Sequence, residues 1–163
     1  MYDPATALKG TDDVFAAHAD HPAVVALSGL ATDAKFDRDE MTIIVARESV
    51  VEATEALRAA GYNFFEDVTA VDWYPSEPRF QISYHFLSHA LKQRIRLVVR
   101  LNSGDAAIDS ITPNWPAANF YEREIFDLFG VQFGGHPNPR RIMMPDDWTG
   151  HPLRKDYPVE GYR

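Results

Sequence analysis

Residues 80–101 read FQISYHFLSHALKQRIRLVVRL, and this stretch holds two runs of alternating apolar side chains. The apolar positions of the two runs are Phe80, Ile82, Tyr84, Phe86, then Ile95, Leu97, Val99 and Leu101. Such alternation predicts two strands that each turn one face toward a core. Because only residues 88–93 connect them, the strands are predicted to form an antiparallel hairpin. Three arginines, at 94, 96 and 100, take the other face of the second strand, which is typical of a solvated face or of a strip for an acidic partner.

Upstream of the hairpin, the sequence predicts one more strand and a helix. Residues 63–73 carry the composition of a strand. The helix opens at Ser49, which forms a capping-box pattern with Glu52, and Gly61 is placed to end it. The apolar residues between them recur with helical spacing.

The amino-terminal third predicts shorter elements. Residues 4–19 are interpreted as one or two short helices, with Thr11 as a cap. Residues 23–30 and 41–46 are predicted strands, and residues 31–40 a polar linker between them. The resulting order, α-β-β-α-β-β-β, predicts a two-layer α+β domain, with helices on one face of a mainly antiparallel mixed sheet.

Downstream of the hairpin, the chain changes character. Asn114 is placed to cap a helix over residues 115–129, and Gly130 to stop it. From residue 131 onward, neither a helical nor a strand period is present, and five prolines exclude a long helix or a central strand. The segment is nevertheless rich in apolar residues, unlike a disordered linker. We therefore predict a core domain over residues 1–130 and, over residues 131–163, an extended tail that docks on a partner.

Composition and charge exclude several classes of protein. The 163 residues include no cysteine, which excludes disulfides, thiolate chemistry and conventional iron–sulfur ligation. A net charge of −8 disfavours binding to nucleic acid or anionic membranes. The excess of acidic groups is uneven along the chain, because residues 121–163 carry 6 basic and 7 acidic groups and are nearly balanced. No signal peptide and no transmembrane run is predicted.

Candidate catalytic groups are few. Glu124 and Asp127 are three residues apart on the predicted helix and could share acid–base work, but an ion-paired or solvated helix face is the favoured interpretation. His136 and His151 match no metal-ligand spacing, so capping or hydrogen-bonding roles are predicted for them. No nucleophile elbow, P-loop or dinucleotide fingerprint occurs.

Two basic clusters in the tail favour docking. Arg140-Arg141 and Arg154-Lys155-Asp156 lie among Trp, Leu and Met residues in the aperiodic segment. Arginine suits bidentate contacts with carboxylates at partly desolvated surfaces. Taken together, these residues resemble a docking strip more than a solvated loop.

The same region carries a specific resemblance. Residues 122–130 read EREIFDLFG, followed by His136-Pro137, by RRIM at 140–143 and by GHPLRKD at 150–156. This succession resembles the signature of the C subunit, also called the 30 kDa subunit, of NADH-quinone oxidoreductase (respiratory complex I). The predicted α-β-β-α-β-β-β order also fits that family, although less specifically.

The resemblance implies a structural subunit of the hydrophilic arm, which packs chiefly on the large quinone-site subunit and binds no cofactor itself. FMN and the iron–sulfur clusters are expected in partner subunits, which pass electrons from NADH to quinone while protons are pumped. The expected location is the cytoplasmic side of the inner membrane, peripheral and held through the complex. No direct membrane span and no nucleic acid partner are expected.

The expected docking residues combine the signature with the tail. They are Glu122, Arg123, Glu124, Asp127, Phe129, Gly130, His136, Pro137, Arg140, Arg141, Trp148, His151, Pro152, Leu153, Arg154, Lys155 and Asp156. Within the helix, Glu122, Arg123 and Asp127 are expected to hold the start of the tail. One alternative is the equivalent subunit of a membrane-bound hydrogenase or related dehydrogenase. A more remote alternative is a free-standing hydrolase that uses Glu124, Asp127 and His136 or His151.

Overall fold

A computed structural model describes residues 8–161 as an α+β protein with a mainly antiparallel sheet, as the sequence predicts. The strands are β1 (Leu8–Lys9), β2 (Ala31–Asp37), β3 (Glu40–Val45), β4 (Phe64–Asp72), β5 (Phe80–Ser88), β6 (Gln93–Leu101), β7 (Ala107–Asp109) and β8 (Gln132–Gly134). The helices are α1 (Thr11–Ala17), α2 (Pro22–Leu27), α3 (Val50–Ala59) and α4 (Ala118–Phe129).

Six of the strands form one sheet, in the order β1-β2-β3-β6-β5-β4. β1 and β2 are antiparallel, as are β2 and β3, whereas β3 runs parallel to β6 with Met41 opposite Ile95. β5 and β6 are neighbours joined by four residues, a link that only an antiparallel pair permits. The predicted hairpin is therefore confirmed, and the alternating residues of both of its strands are buried.

The described chain divides into two compact units. One takes residues up to Glu66 together with Ser83–Val99, and its core includes Leu27, Leu57 and Leu97. The other takes Asp67–Ile82 together with the residues from Arg100 onward. The second unit contains α4 and a short parallel pair of strands, β7 and β8. These units reflect contacts within the chain; the predicted boundary at residue 130 concerns docking on a partner and stays a prediction.

Two predictions in the amino-terminal third are wrong. Residues 23–30 are not a strand, because Pro22 opens helix α2, which buries Ala23, Val24 and Leu27. Residues 31–40 are not a linker, because β2 lies between β1 and β3 in the sheet. The valines of α2 favour a strand, and β2 buries only Ala34 fully, so in both cases the side chains gave a misleading pattern.

Helix positions are predicted better than helix caps. α1 begins at Thr11 after Gly10, so Thr11 is inside the helix rather than its cap, and residues 4–7 of that prediction lie outside the described part. Ser49 precedes α3 but forms no side-chain capping bond, and a 3₁₀ turn leads into the helix instead. Gly61, with φ of 99°, follows α3 as predicted.

The carboxyl-terminal helix is shorter than predicted, and a strand follows it. α4 starts at Ala118 rather than Trp115, because turns occupy the residues before it, and Asn114 therefore does not cap it. β8 gives the segment after residue 131 three residues of strand that the sequence did not predict. No helix within residues 8–161 has the length and apolarity needed to cross a membrane.

We expect Leu97→Ala in β6 to lower the free energy of unfolding by about 2–5 kcal/mol, because Leu97 is fully buried and leaves a cavity. Arg100→Ala, an exposed position on the same strand, is the control and should change stability by less than about 0.5 kcal/mol. Denaturant unfolding of both variants measures the difference. Equal losses would contradict the assignment of the two faces.

Candidate functional site at the end of helix α4

The last turn of α4 lies against the tail of the chain, and this contact is the centre of the site. Gly130 ends the helix in the left-handed conformation, with φ of 74°, and its N–H donates to the carbonyl oxygen of Phe126 at 2.9 Å. The sequence predicted this stop. The three carbonyls that the helix cannot satisfy itself, at residues 127–129, face the tail.

Three residues of the tail bind these carbonyls in succession. His151 Nδ1 lies 2.8 Å from the Asp127 carbonyl oxygen, and the Leu153 N–H donates to the Leu128 carbonyl oxygen at 3.0 Å. Arg154 Nε donates to the Phe129 carbonyl oxygen at 2.5 Å. Cationic side chains at a helix carboxyl terminus also oppose its partial negative charge. The tail therefore caps the helix.

The carboxylate of Asp127 holds a second part of the tail. Its side chain is fully buried and accepts a hydrogen bond from Arg141 Nη1 at 2.6 Å. The backbone N–H groups of Ile142, Met143 and Met144 donate to Oδ2 at 3.0, 2.7 and 2.9 Å. Burial raises the pKa of Asp127, but these donors outweigh it, so the pKa lies below its ordinary value. Asp127 is thus an ionised anchor for residues 141–144.

Arg123 and Glu122, the neighbours of this anchor on α4, have different partners. Arg123 donates to the carbonyl oxygens of Arg140 and Arg141 at 3.0 and 2.9 Å, so it holds the start of the tail as expected. Glu122 does not: its buried carboxylate accepts from Ser110 Oγ at 2.5 Å, the Ile111 N–H at 2.9 Å and Thr112 Oγ1 at 3.0 Å. Burial raises the pKa of Glu122, and these hydrogen bonds oppose that rise.

The two tail histidines have hydrogen-bonding roles, as predicted. His136 Nε2 lies 3.2 Å from the Asn119 carbonyl oxygen, while its Nδ1 accepts from the Asn138 N–H at 3.0 Å. His151 donates from Nδ1 to the carbonyl of Asp127, since a carbonyl oxygen only accepts. Burial lowers the pKa of His151, and the nearby Arg154 and Arg141 lower it further against the opposing effect of this bond. Within residues 8–161, no group of three or more His, Asp or Glu side chains is arranged to hold a metal ion.

A second anchor links the tail to the strands. Arg79 donates to both carboxylate oxygens of the buried Asp72, at 2.9 and 2.8 Å, and to both oxygens of Asp156, at 3.0 and 2.6 Å. The Lys155 N–H donates to Asp72 Oδ2 at 2.8 Å. Arg154 stacks over the Phe80 ring, 5.3 Å from its centroid. Residues 154–156 are therefore fixed in position by groups near β4 and β5.

Sequence reasoning missed Asp72 and Arg79. Asp72 and Arg79 lie 77 or more residues from their tail partners, and neither belongs to a motif. A carboxylate at the end of one predicted strand and an arginine just before the next was the only local signal. That signal does not indicate a partner in the tail.

The remaining predicted docking residues divide by exposure. Phe129 and Gly130 are buried at the end of α4, and Pro152 is half-buried. The exposed residues of the set are Glu124, Pro137, Arg140, Trp148, Leu153, Lys155 and Asp156. The structure contains no partner chain, so docking by these residues stays a prediction.

Solved structures share this fold. A trypsin-resistant fragment (1-134) of Nqo5 matches with a TM-score of 0.57 and 30% sequence identity, over 61% of this chain and 82% of that one. A chain of the membrane-bound sulfane sulfur reductase, an archaeal respiratory membrane complex, matches with a TM-score of 0.75 and 24% identity over 86% of each chain. The fold thus places the molecule in a class of α+β proteins that includes Nqo5 and a chain of a respiratory membrane complex.

The sequence comparisons specify the family. Residues 43–163 match the family described as the 30 kDa subunit of respiratory-chain NADH dehydrogenase, and the chain belongs to it. The C subunit of NADH-quinone oxidoreductase from Citrifermentans bemidjiense is 46% identical, over 85% of this chain and 89% of that protein. The same subunit from Geobacter sulfurreducens is 48% identical over 79% and 81%. The predicted family is confirmed, and the chain is a subunit of a multi-subunit oxidoreductase complex.

Gly130→Ala should displace the tail. A Cβ at Gly130 would lie 2.6 Å from the His151 ring and 2.7 Å from Arg154 Nη2, in a left-handed conformation that alanine also disfavours. We expect a loss of stability at least about 1 kcal/mol larger than that of Gly135→Ala, together with faster deuterium exchange at Leu153. Gly135 is the matched control, because it has the same φ of 74° and nothing within 4 Å of its Cβ position. Identical effects of the two substitutions would show that the tail does not press on Gly130.

The Asp72–Arg79 anchor predicts acid sensitivity. Burial raises the pKa of Asp72, but hydrogen bonds from Arg79, Lys155 and Tyr74 lower it from 3.8 to about 2. A lowered pKa adds stability that is present above pH ~4 and is lost as the pH falls toward 2, worth about 2 kcal/mol here. We expect Asp72→Asn to flatten the pH dependence of unfolding across that window. Asp146→Asn, at an exposed aspartate, is the control; a wild-type profile in Asp72→Asn would contradict the anchor.

Proposed function

We propose that this chain is a cofactor-free structural subunit of the peripheral arm of a proton-pumping NADH-quinone oxidoreductase, and that it docks on the quinone-site subunit. In this proposal FMN and iron–sulfur clusters belong to partner subunits, which carry electrons from NADH to quinone. The complex holds the chain at the cytoplasmic side of the membrane. The observation that carries the proposal is the identity of 46% to a named C subunit of NADH-quinone oxidoreductase across 85% of the chain.

The chemistry of the site supports a structural role. The carboxylate of Asp127 accepts four hydrogen bonds, from Arg141 and from three backbone N–H groups, which occupies most of its acceptor capacity. A carboxylate in that state is poorly suited to exchange protons with a substrate. The chain also has no cysteine to ligate an iron–sulfur cluster. These features favour a structural subunit, which positions other subunits, rather than a free-standing hydrolase.

The tail supports docking through its exposed apolar side chains. Met143 and Leu153 are 63% and 49% exposed, and Trp148 is 39% exposed. The N–H groups of Met143 and Leu153 are bound by α4, and the Trp148 N–H donates to the Pro145 carbonyl oxygen at 3.0 Å, so the backbone at each of these side chains is held. Burying large side chains that are already held in place yields more net affinity than burying mobile ones, because less conformational entropy is lost. We therefore place the contact with the quinone-site subunit at this part of the tail.

Trp148→Ala tests the proposal. We expect less of the chain in the assembled complex, because truncating an aromatic anchor costs about 2 kcal/mol or more of binding free energy. Complex that does assemble should keep near-normal turnover per assembled particle. The measurements are the yield of complex that co-purifies with the tagged chain and its NADH:quinone activity.

Val25→Ala is the control for this experiment. Val25 is an exposed apolar residue on α2, outside the tail, and its replacement should leave the yield unchanged. Normal assembly of Trp148→Ala with lost turnover would instead point to a direct catalytic role. If a large nickel-binding protein co-purified, the chain would belong to a hydrogenase-type complex.

A further inference from the structure

The two basic pairs of the tail each contain one residue that the chain uses itself. Arg141 binds the Asp127 carboxylate at 2.6 Å and the carbonyl oxygen of Gly150 at 3.1 Å. Arg154 binds the carbonyl oxygen of Phe129 and stacks over Phe80. Both are half-buried. These two arginines act within the fold, so they are not free to recognise another protein.

The other member of each pair is exposed and lacks such a partner. Within residues 8–161, the guanidinium of Arg140 forms no hydrogen bond or ion pair, and neither does the ammonium of Lys155. Only their backbones are bound: the Arg140 carbonyl oxygen accepts from Arg123, and the Lys155 N–H donates to Asp72. In each pair, therefore, one side chain is bound and its neighbour is not.

The backbone at both exposed cations is held from both sides. Arg123 binds the carbonyls of Arg140 and Arg141, and Asp127 holds the three residues that follow. At Lys155, the N–H is fixed by Asp72, and the next residue, Asp156, is fixed by Arg79. A cation carried on a fixed backbone loses less conformational entropy on binding than one on a mobile loop.

We infer that Arg140 and Lys155 are the tail's electrostatic contacts with a carboxylate-bearing surface of a sister subunit. Arg141 and Arg154 instead shape the tail that presents them. This inference rests on the proposed docking function and specifies which charges face the partner. Arg140 is suited to bidentate binding of a carboxylate, and Lys155 binds one as a point charge.

The partner surface needs negative charge only at particular points. Asp146 and Asp147 are exposed in the turn before Trp148, so the tail presents both signs of charge. Carboxylates are accordingly required only opposite Arg140 and Lys155. Nucleic acid and anionic membranes present continuous negative charge, which the exposed Asp146 and Asp147 would oppose. An acidic protein surface is the occupant that fits.

The experiment compares members of the same pair. The full chain, tagged, is expressed with the other subunits in cells that lack its own untagged copy, as Arg140→Glu, Lys155→Glu and the double variant. We expect each reversal to lower the co-purified complex about ten-fold and the double variant about a hundred-fold. The complex that does form should dissociate with a weaker dependence on salt than wild type, because fewer ion pairs remain to be screened.

The controls separate folding from docking. Arg140→Lys keeps the charge and should retain most of the assembly. The unfolding midpoint of the purified chain should be unchanged in Arg140→Glu and Lys155→Glu, whereas Arg141→Ala and Arg154→Ala should lower it. If the exposed-site variants lowered that midpoint as much, both cations would serve the chain's own fold and the inference would be wrong.

Two further outcomes would overturn the inference, and a third would overturn the proposed function. If the double variant assembled as well as wild type, Arg140 and Lys155 would not be contacts with the partner, although docking by Trp148 could still hold. Binding of the wild-type chain to vesicles of phosphatidylglycerol and phosphatidylcholine, lost in the double variant, would assign the cations to a membrane. Failure of the wild-type chain to co-purify with any subunit would overturn the proposed function itself.

Discussion

The second unit depends on one buried carboxylate, that of Asp127 in the last turn of α4. It accepts hydrogen bonds from the guanidinium of Arg141 and from the three backbone N–H groups that follow in the chain, and so fixes residues 141–144 against the helix. A buried carboxylate is costly unless such donors satisfy it, and the N–H groups would in turn be unsatisfied without it. The requirement is mutual, which gives an aperiodic segment one defined path.

The rest of the tail follows from that path. Once residues 141–144 are placed, His151, Leu153 and Arg154 reach the open carbonyls at the helix terminus. The Asp72–Arg79–Asp156 network then fixes the chain two residues further on. Intramolecular hydrogen bonds therefore replace the regular secondary structure that the prolines exclude. A segment held in this way can present side chains to a partner without first having to fold on it.

Local pattern explains which parts of the fold were predictable. The hairpin of β5 and β6 follows from alternation within 22 residues, and the end of α4 follows from a glycine that adopts φ of 74°. α2 and β2 were mispredicted, because the valines of α2 have an intrinsic preference for strands and the polar residues of β2 do not alternate with buried apolar ones. The site was predictable in part: the signature indicated Asp127, Arg141 and His151, but not which partners they bind.

The sequence by itself determined the α+β class, the hairpin, the stop at Gly130 and, through the ordered motifs of residues 122–156, the family. Each of these features depends on residues that are near neighbours in the chain, so it can be predicted from their spacing. Only the tertiary structure decided that Arg79 joins Asp72 to Asp156, and that Arg141 and Arg154 are used inside the chain while Arg140 and Lys155 face outward. Adjacent residues of the same charge look equivalent in a sequence, because hydrogen bonds between residues far apart in the chain leave no periodic trace in it.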